Sequence, residues 1–293
     1  MPVSGVGYLS RMKSILIKSS TLICILFVTG CSPGKPIINP ETADGYKLVW
    51  ADEFNTDGRP DILSWRFEKG FVRNEEAQWY QEDNAWCEKG KLIIEARRED
   101  RLNPLFRADG NSWRSKRQKI NYTSSSINTA GKRSWLYGRF VMRGKINTSA
   151  GLWPAWWTLG TAGNWPANGE IDIMEYYRKM ILANVAFMGQ NGKPEWFTVT
   201  KPVDSLGEKW ASDFHTWRMD WDQNRISLYV DDVLLNQVAL ERLVNKDGTG
   251  INPFKAPHYM LLNLAVGGMN GGNPGSTRFP NRFEVDYVRV YQK

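Results

Sequence analysis

The chain has 293 residues, 38 of them Lys or Arg against 31 Asp or Glu, and its 14 Trp help to raise the aromatic share to 13%. That length suits one large all-β domain. Two His and three Cys leave little scope for a zinc site or a Cys–His nucleophile, and a formal charge of +7 is too mild to indicate nucleic-acid binding without a clustered basic stripe.

At the amino terminus, Arg11, Lys13 and Lys18 precede an apolar run over residues 22–28 that ends in Thr29-Gly30-Cys31. This is the layout of a secretory signal, and the run is too short to span a bilayer. Val28-Thr29-Gly30-Cys31 is similar to a bacterial lipobox. Residues 1–30 are therefore expected to be a lipoprotein signal peptide, of ordinary length if translation starts at Met12, with Cys31 as the lipidated first residue of the mature chain. Residues 31–44, rich in Pro, Gly and Asn, read as a flexible tether, and residues 45–293 as one domain. The expected location is outside the cytoplasm, held by lipid to a bacterial membrane at the cell surface or the periplasmic face; a secreted protein with a chance Cys is the alternative. The several acyl chains of a lipoprotein anchor stably where one does not, so radioactive palmitate should label the native chain and not Cys31→Ser. Label persisting in the variant would remove the anchor.

Without Arg11, Lys13 and Lys18 the mature chain carries 35 basic and 31 acidic residues, a net +4. With Cys24 in the leader and Cys31 acylated, no intramolecular disulfide is expected, and Cys87 is expected to pack near the strand at 91–96. Short alternating or apolar runs recur between Gly, Pro, Asn and Asp at 91–96, 137–145, 151–159, 181–188, 226–230, 259–266 and 282–291. No long helical periodicity intervenes, so a sandwich or barrel is expected. The basic run Arg114, Lys116, Arg117 and Lys119 reads as a solvated loop, and no nucleic-acid partner is expected. His215, before Trp217 on a strand-like segment, and His258 read as structural. The glycine-rich stretch 267–275 lacks the order of a phosphate-binding loop and reads as a loop at the rim of a groove.

The segment Glu170-Ile171-Asp172-Ile173-Met174-Glu175 carries the chemistry. On a strand, Glu170 and Asp172 share one face and Ile171 and Ile173 the other. A bulge between Asp172 and Glu175 would turn Glu175 back onto the acidic face. Three like charges on a half-buried face oppose folding unless protons or hydrogen bonds relieve them. Two Glu facing one cleft suit retaining glycoside hydrolysis, which needs carboxyls about 5 to 5.5 Å apart. A solvent-facing polar strand edge is the alternative. Just upstream, alternation puts Trp153 and Trp157 on one face, suited to a carbohydrate groove, and Trp156 on the other. Trp156, Trp217 and Trp221 are expected in the core.

These motifs belong to an ordered series: Leu48-Val49-Trp50-Ala51-Asp52-Glu53-Phe54, Asn74-Glu75-Glu76-Ala77-Gln78-Trp79-Tyr80, Tyr122 to Thr129, Tyr137-Gly138-Arg139-Phe140, the Trp-rich and acidic strands, Leu262 to Gly268 and Asp286 to Tyr291. From about Gly45 to Gln292 the chain resembles glycoside hydrolase family 16, the laminarinase-like retaining endo-β-glycosidases. The resemblance implies a concanavalin-like jelly roll of two curved antiparallel sheets with an open carbohydrate cleft. It implies Glu170 as nucleophile, Asp172 as its assisting carboxylate and Glu175 as general acid/base, with Asn74, Trp153 and Trp157 at substrate-contacting positions; Trp165 and Asn263 are further candidate substrate contacts. No cofactor is required. A structural calcium is a further expectation, with Glu53 and Asp286 in the segments that would hold it.

The expected partner is a β-linked polysaccharide or glycan, and the expected activity is hydrolysis of its internal linkages. A lectin-like, non-catalytic glycan-binding protein is the alternative, disfavoured by the three acids. Relatives acting on β-1,3-glucan commonly carry histidines on the strand after the acidic one, and residues 181–187 have none. Ala183, Ala186 and Phe187 in their place tilt the expectation toward galactose-containing chains, a galactan or mucin-type O-glycan, with β-1,3(4)-glucan close behind.

Overall fold

The computed structural model describes residues 41–293, so the leader and Cys31 lie outside it. Alternation of apolar and polar side chains accounts for most strands. Along Gly138–Lys145, Phe140 and Met142 turn inward while Arg139 and Arg143 turn out. The other expected runs appear as Lys91–Leu102, Leu152–Gly160, Met180–Met188, Arg225–Val230, His258–Val266 and Asn281–Gln292. Among the described residues helix is confined to short pieces, the two α-helical ones being Trp113–Lys116 and Gly268–Gly271.

The strands form two sheets packed as a jelly-roll sandwich. The seven-stranded sheet runs Pro194–Pro202, Met180–Met188, Glu170–Tyr177, Leu152–Gly160, His258–Val266, Ser126–Asn128 and Arg66–Phe67, every neighbour antiparallel. The ten-stranded sheet centres on Gly138–Lys145 and Asn281–Gln292. It departs from the antiparallel expectation at one edge, where Gln78–Tyr80 pairs parallel with Lys119–Ser124. Between the sheets, Trp156, Ile171, Ile173 and Met174 from one meet Phe140, Met142, Trp217 and Trp221 from the other. Truncating an aromatic of this kind to alanine costs about 3 to 5 kcal/mol, through lost transfer energy and the cavity left behind.

The polar residues set aside as structural take such places. Cys87 is buried opposite Leu92, as expected. His258 is buried between Thr158 and the Pro253 carbonyl, and burial pushes its imidazole down to about 4. His215 lies between Asp231 and the Trp210 carbonyl.

Two expectations need correction. Residues 41–44, assigned to a flexible tether, are fastened to the ten-stranded sheet: Glu41 bridges Lys47, the Thr42 amide donates to the Tyr46 carbonyl, and Asp44 pairs with Arg139, which also holds Asp220. The second concerns calcium. Arg289 donates to both oxygens of Glu53, at 2.8 and 3.0 Å, and Arg143 donates to Asp286 at 2.8 Å. Guanidinium groups thus supply the positive charge beside each carboxylate, so the pair as arranged does not fit a dication. Among the described residues no three acidic, His or Cys side chains converge as a metal site.

Candidate active site

Pairing on both sides of Glu170–Tyr177 slips by a residue after Asp172, the bulge expected from the sequence. The slip returns Glu175 to the face of Glu170 and Asp172, because Ile173 and Met174 both turn into the core. Register then fixes three rows across the sheet. Leu159, Glu170, Ala186 and Trp196 form the first; Trp157, Asp172, Asn184 and Thr198 the second; Asn263, Ala155, Glu175 and Leu182 the third. A cavity of about 710 Å³ lies over them, lined by Trp153, Trp157, Trp165, Glu170 and Glu175. Asp172 and Asn263 line a small recess beside it.

Glu170 and Glu175 each accept from a different indole. Trp165 Nε1 donates to Glu170 and Trp153 Nε1 to Glu175, the latter at 2.7 Å. The Asn184 amide donates to Asp172 at 2.9 Å and to Glu175 at 2.8 Å, so one side chain ties these two carboxyls together. Burial pushes Glu170 and Glu175 well above the usual carboxylate range, with the charge of Asp172 adding to both. Asp172 is raised by burial to about 6, held back by hydrogen bonds to Asn184 and Glu170.

A buried carboxyl with a raised pKa binds its proton more tightly in the folded than in the unfolded chain. Glu175 therefore subtracts stability as pH rises from about 4.5 through its folded value. Glu175→Gln removes that loss and keeps an acceptor for Trp153, while Asn184, whose Oδ1 lacks a partner, can turn to accept from the new amide. Calorimetry should show the variant more stable than the native chain at pH 7 by on the order of 1 kcal/mol, the gain vanishing near pH 4. A variant no more stable at pH 7 would contradict this account of the buried charge.

The remaining expected contact residues fall into two tiers. Asn74 lies on the rim of the cavity in the left-handed conformation, and Met269 donates its amide to the Asn74 carbonyl, so the glycine-rich stretch does border the groove. Asn263 lies deeper, accepting from Trp157 Nε1 at 2.7 Å and donating to the Tyr80 hydroxyl at 3.2 Å. It positions Trp157. Arg114 and Arg117, expected in a solvated loop, instead donate to the carbonyls of Phe71, Val72, Glu75 and Glu76, and so clamp the loop that carries Asn74.

The reading of residues 181–187 also changes. Ala183, Val185 and Phe187 face the core, so Ala183 and Phe187 cannot shape the cleft floor. Ala186 and Asn184 do face it, in the rows of Glu170 and Asp172. Asn184 was not singled out from the sequence, although it is the polar side chain on an otherwise apolar strand. Arg73, stacked on Trp157 with its guanidinium 5.1 Å from the ring centroid and paired to Glu68, was also missed.

A two-sheet sandwich whose outer face carries two buried acids, Asp172 and Glu175, and a half-buried third, Glu170, in a Trp-lined cleft defines a carbohydrate-cleaving hydrolase. The family model for glycosyl hydrolases family 16 matches residues 74–289, and the chain belongs to that family. It is 33% identical to a β-glucanase of Rhodothermus marinus over 97% of each chain. Among solved structures, one from work on endo-acting O-glycanases of human gut microbiota that initiate mucin breakdown aligns with a TM-score of 0.78 at 33% identity, over 87% of this chain and 94% of that one. The laminarinase catalytic domain of Thermotoga maritima aligns with a TM-score of 0.70 at 30% identity, over 85% and 98%. The chain is a glycoside hydrolase, and the lectin-like alternative gives way to an endo-glycanase.

Proposed function

We propose that the protein cleaves internal β-linkages of a glycan with retention of configuration. Glu170 attacks the anomeric carbon while Glu175 protonates the departing glycosidic oxygen. The proton between Glu170 and Asp172 passes to Asp172 as the Glu170 ester forms. Water then attacks the same carbon, giving its proton to the Glu175 carboxylate, and the ester bond breaks to restore Glu170. The bulge carries this reading, because it brings Glu175 onto the face of Glu170 and hands each acid a different indole donor. Burial suits Glu175 to hold a proton at neutral pH, as a general acid must.

For the sugar, we propose a galactose-containing chain of the mucin-type O-glycan class. Support comes from Ala186, which places no imidazole beside Glu170, and from the likeness to the O-glycanase structure. A polar group missing from a pocket can shift discrimination between axial and equatorial hydroxyls strongly, since the unmatched partner is desolvated for nothing. A β-1,3(4)-glucan is the second reading, favoured by the end-to-end match to the Rhodothermus marinus enzyme. The test compares kcat/KM on poly-N-acetyllactosamine or mucin glycans, laminarin and mixed-linkage β-glucan, with the first-formed anomer followed by NMR. A tenfold advantage for either glucan rejects the galactose reading; an α-anomer formed first rejects retention. The leader and Cys31 add, on sequence alone, the proposal that this enzyme is exported and lipid-anchored.

A further inference from the structure

Trp196 is a large aromatic on the edge strand Pro194–Pro202, yet 42% of it is exposed, and Trp165 beside it is 48% exposed. The two rings stand 6.5 Å apart between centroids and are inclined by 51°, so they form an open corner rather than a closed stack. Both line the cavity that holds Glu170 and Glu175. Register places Trp196 in the row of Glu170 with only Ala186 between them, so the strand separating them puts no more than a methyl group in the way. With strands roughly 4.8 Å apart, the two Cα atoms are about 10 Å from each other.

We propose that Trp196, with Trp165, forms a sugar-stacking subsite on the edge-strand side of the three acids, taking an uncharged ring of the same glycan chain; this rests on the hydrolase reading of the cleft. Trp153 and Trp157 already line the cavity on the other side of the acids, so a chain lying along the rows meets aromatic faces on both sides of the bond to be cut. The ring is uncharged because, among the described residues, the one basic side chain lining the cavity is Arg73, which is stacked on Trp157 on that other side and held by Glu68. Thr198, which also lines the cavity, follows Trp196 by two residues on the same strand and adds a hydroxyl without charge.

The test titrates neutral gluco- and galacto-configured oligosaccharides, from disaccharide to hexasaccharide, into Glu170→Gln and into Glu170→Gln combined with Trp196→Ala. Loss of one stacking face should weaken hexasaccharide binding about tenfold, with a loss that grows with chain length, and Trp196→Phe should recover most of it. A Trp196 that only steadied Trp165 against Glu170 would cost every length alike; that result, or equal affinities in both variants, overturns the subsite. Native enzyme inactive on every glycan, together with a length-dependent Trp196 effect, would instead overturn the hydrolase reading and leave the subsite standing.

Discussion

Glu170→Gln should lower kcat by roughly 10⁴-fold or more, the scale seen when a covalent nucleophile is removed, while leaving fold and glycan affinity nearly intact. Glutamine has almost the volume of glutamate and still offers an oxygen to Trp165 Nε1, so the donor that holds Glu170 keeps its partner. What it cannot do is form an ester with the anomeric carbon. The smaller Glu170→Ala leaves space where the carboxylate stood, and azide entering there should restore turnover of an activated aryl glycoside and release a glycosyl azide of inverted configuration. Azide product of retained configuration, or residual activity within tenfold of native, would move the nucleophile elsewhere.

Glu175→Ala should divide substrates by leaving group. Polysaccharide cleavage needs a proton on the departing sugar oxygen, and general acid help of this kind is worth about 10² to 10⁴-fold. An aryl glycoside with an acidic phenol needs none at the first step, so its glycosylation should be nearly spared and its ester should accumulate. Azide can then attack that ester without a general base, giving a product of retained configuration, opposite to the Glu170→Ala case. Equal losses on both substrate types would sink the assignment of Glu175. The buried indole and amide that touch it, Trp153 and Asn184, pull its pKa down against burial and the charge of Asp172.

Much of this site was readable in order along the chain, since alternation is a local property. The bounds of most of the expected runs, the face of Trp153 and Trp157, the core placement of Trp156 and the bulge after Asp172 all follow from neighbouring residues, whereas the strand beginning at Lys91 runs on to Leu102, six residues past its apolar run. Where the reading failed, the deciding partner lay far off in sequence. Arg114 and Arg117 read as solvated because nothing nearby opposes them, but the carbonyls they hold belong to residues 71–76. Ala183 and Phe187 fall on the core face by the same alternation that orders 170–175, and Asn184, between them in the chain, faces the acids. Trp196 sits in a segment bounded by Pro194 and Pro202, whose prolines obscured an edge strand that needs fewer amide donors than a central one.

The clasp between Asp44 and Arg139 sets a direction for the whole molecule. Arg139 projects from the outer face of the ten-stranded sheet, whereas the acids project from the outer face of the seven-stranded sheet. The polypeptide thus enters the domain at its back. A long glycan lying along the groove therefore passes over the opposite face of the sandwich from Asp44 and does not meet the clasp.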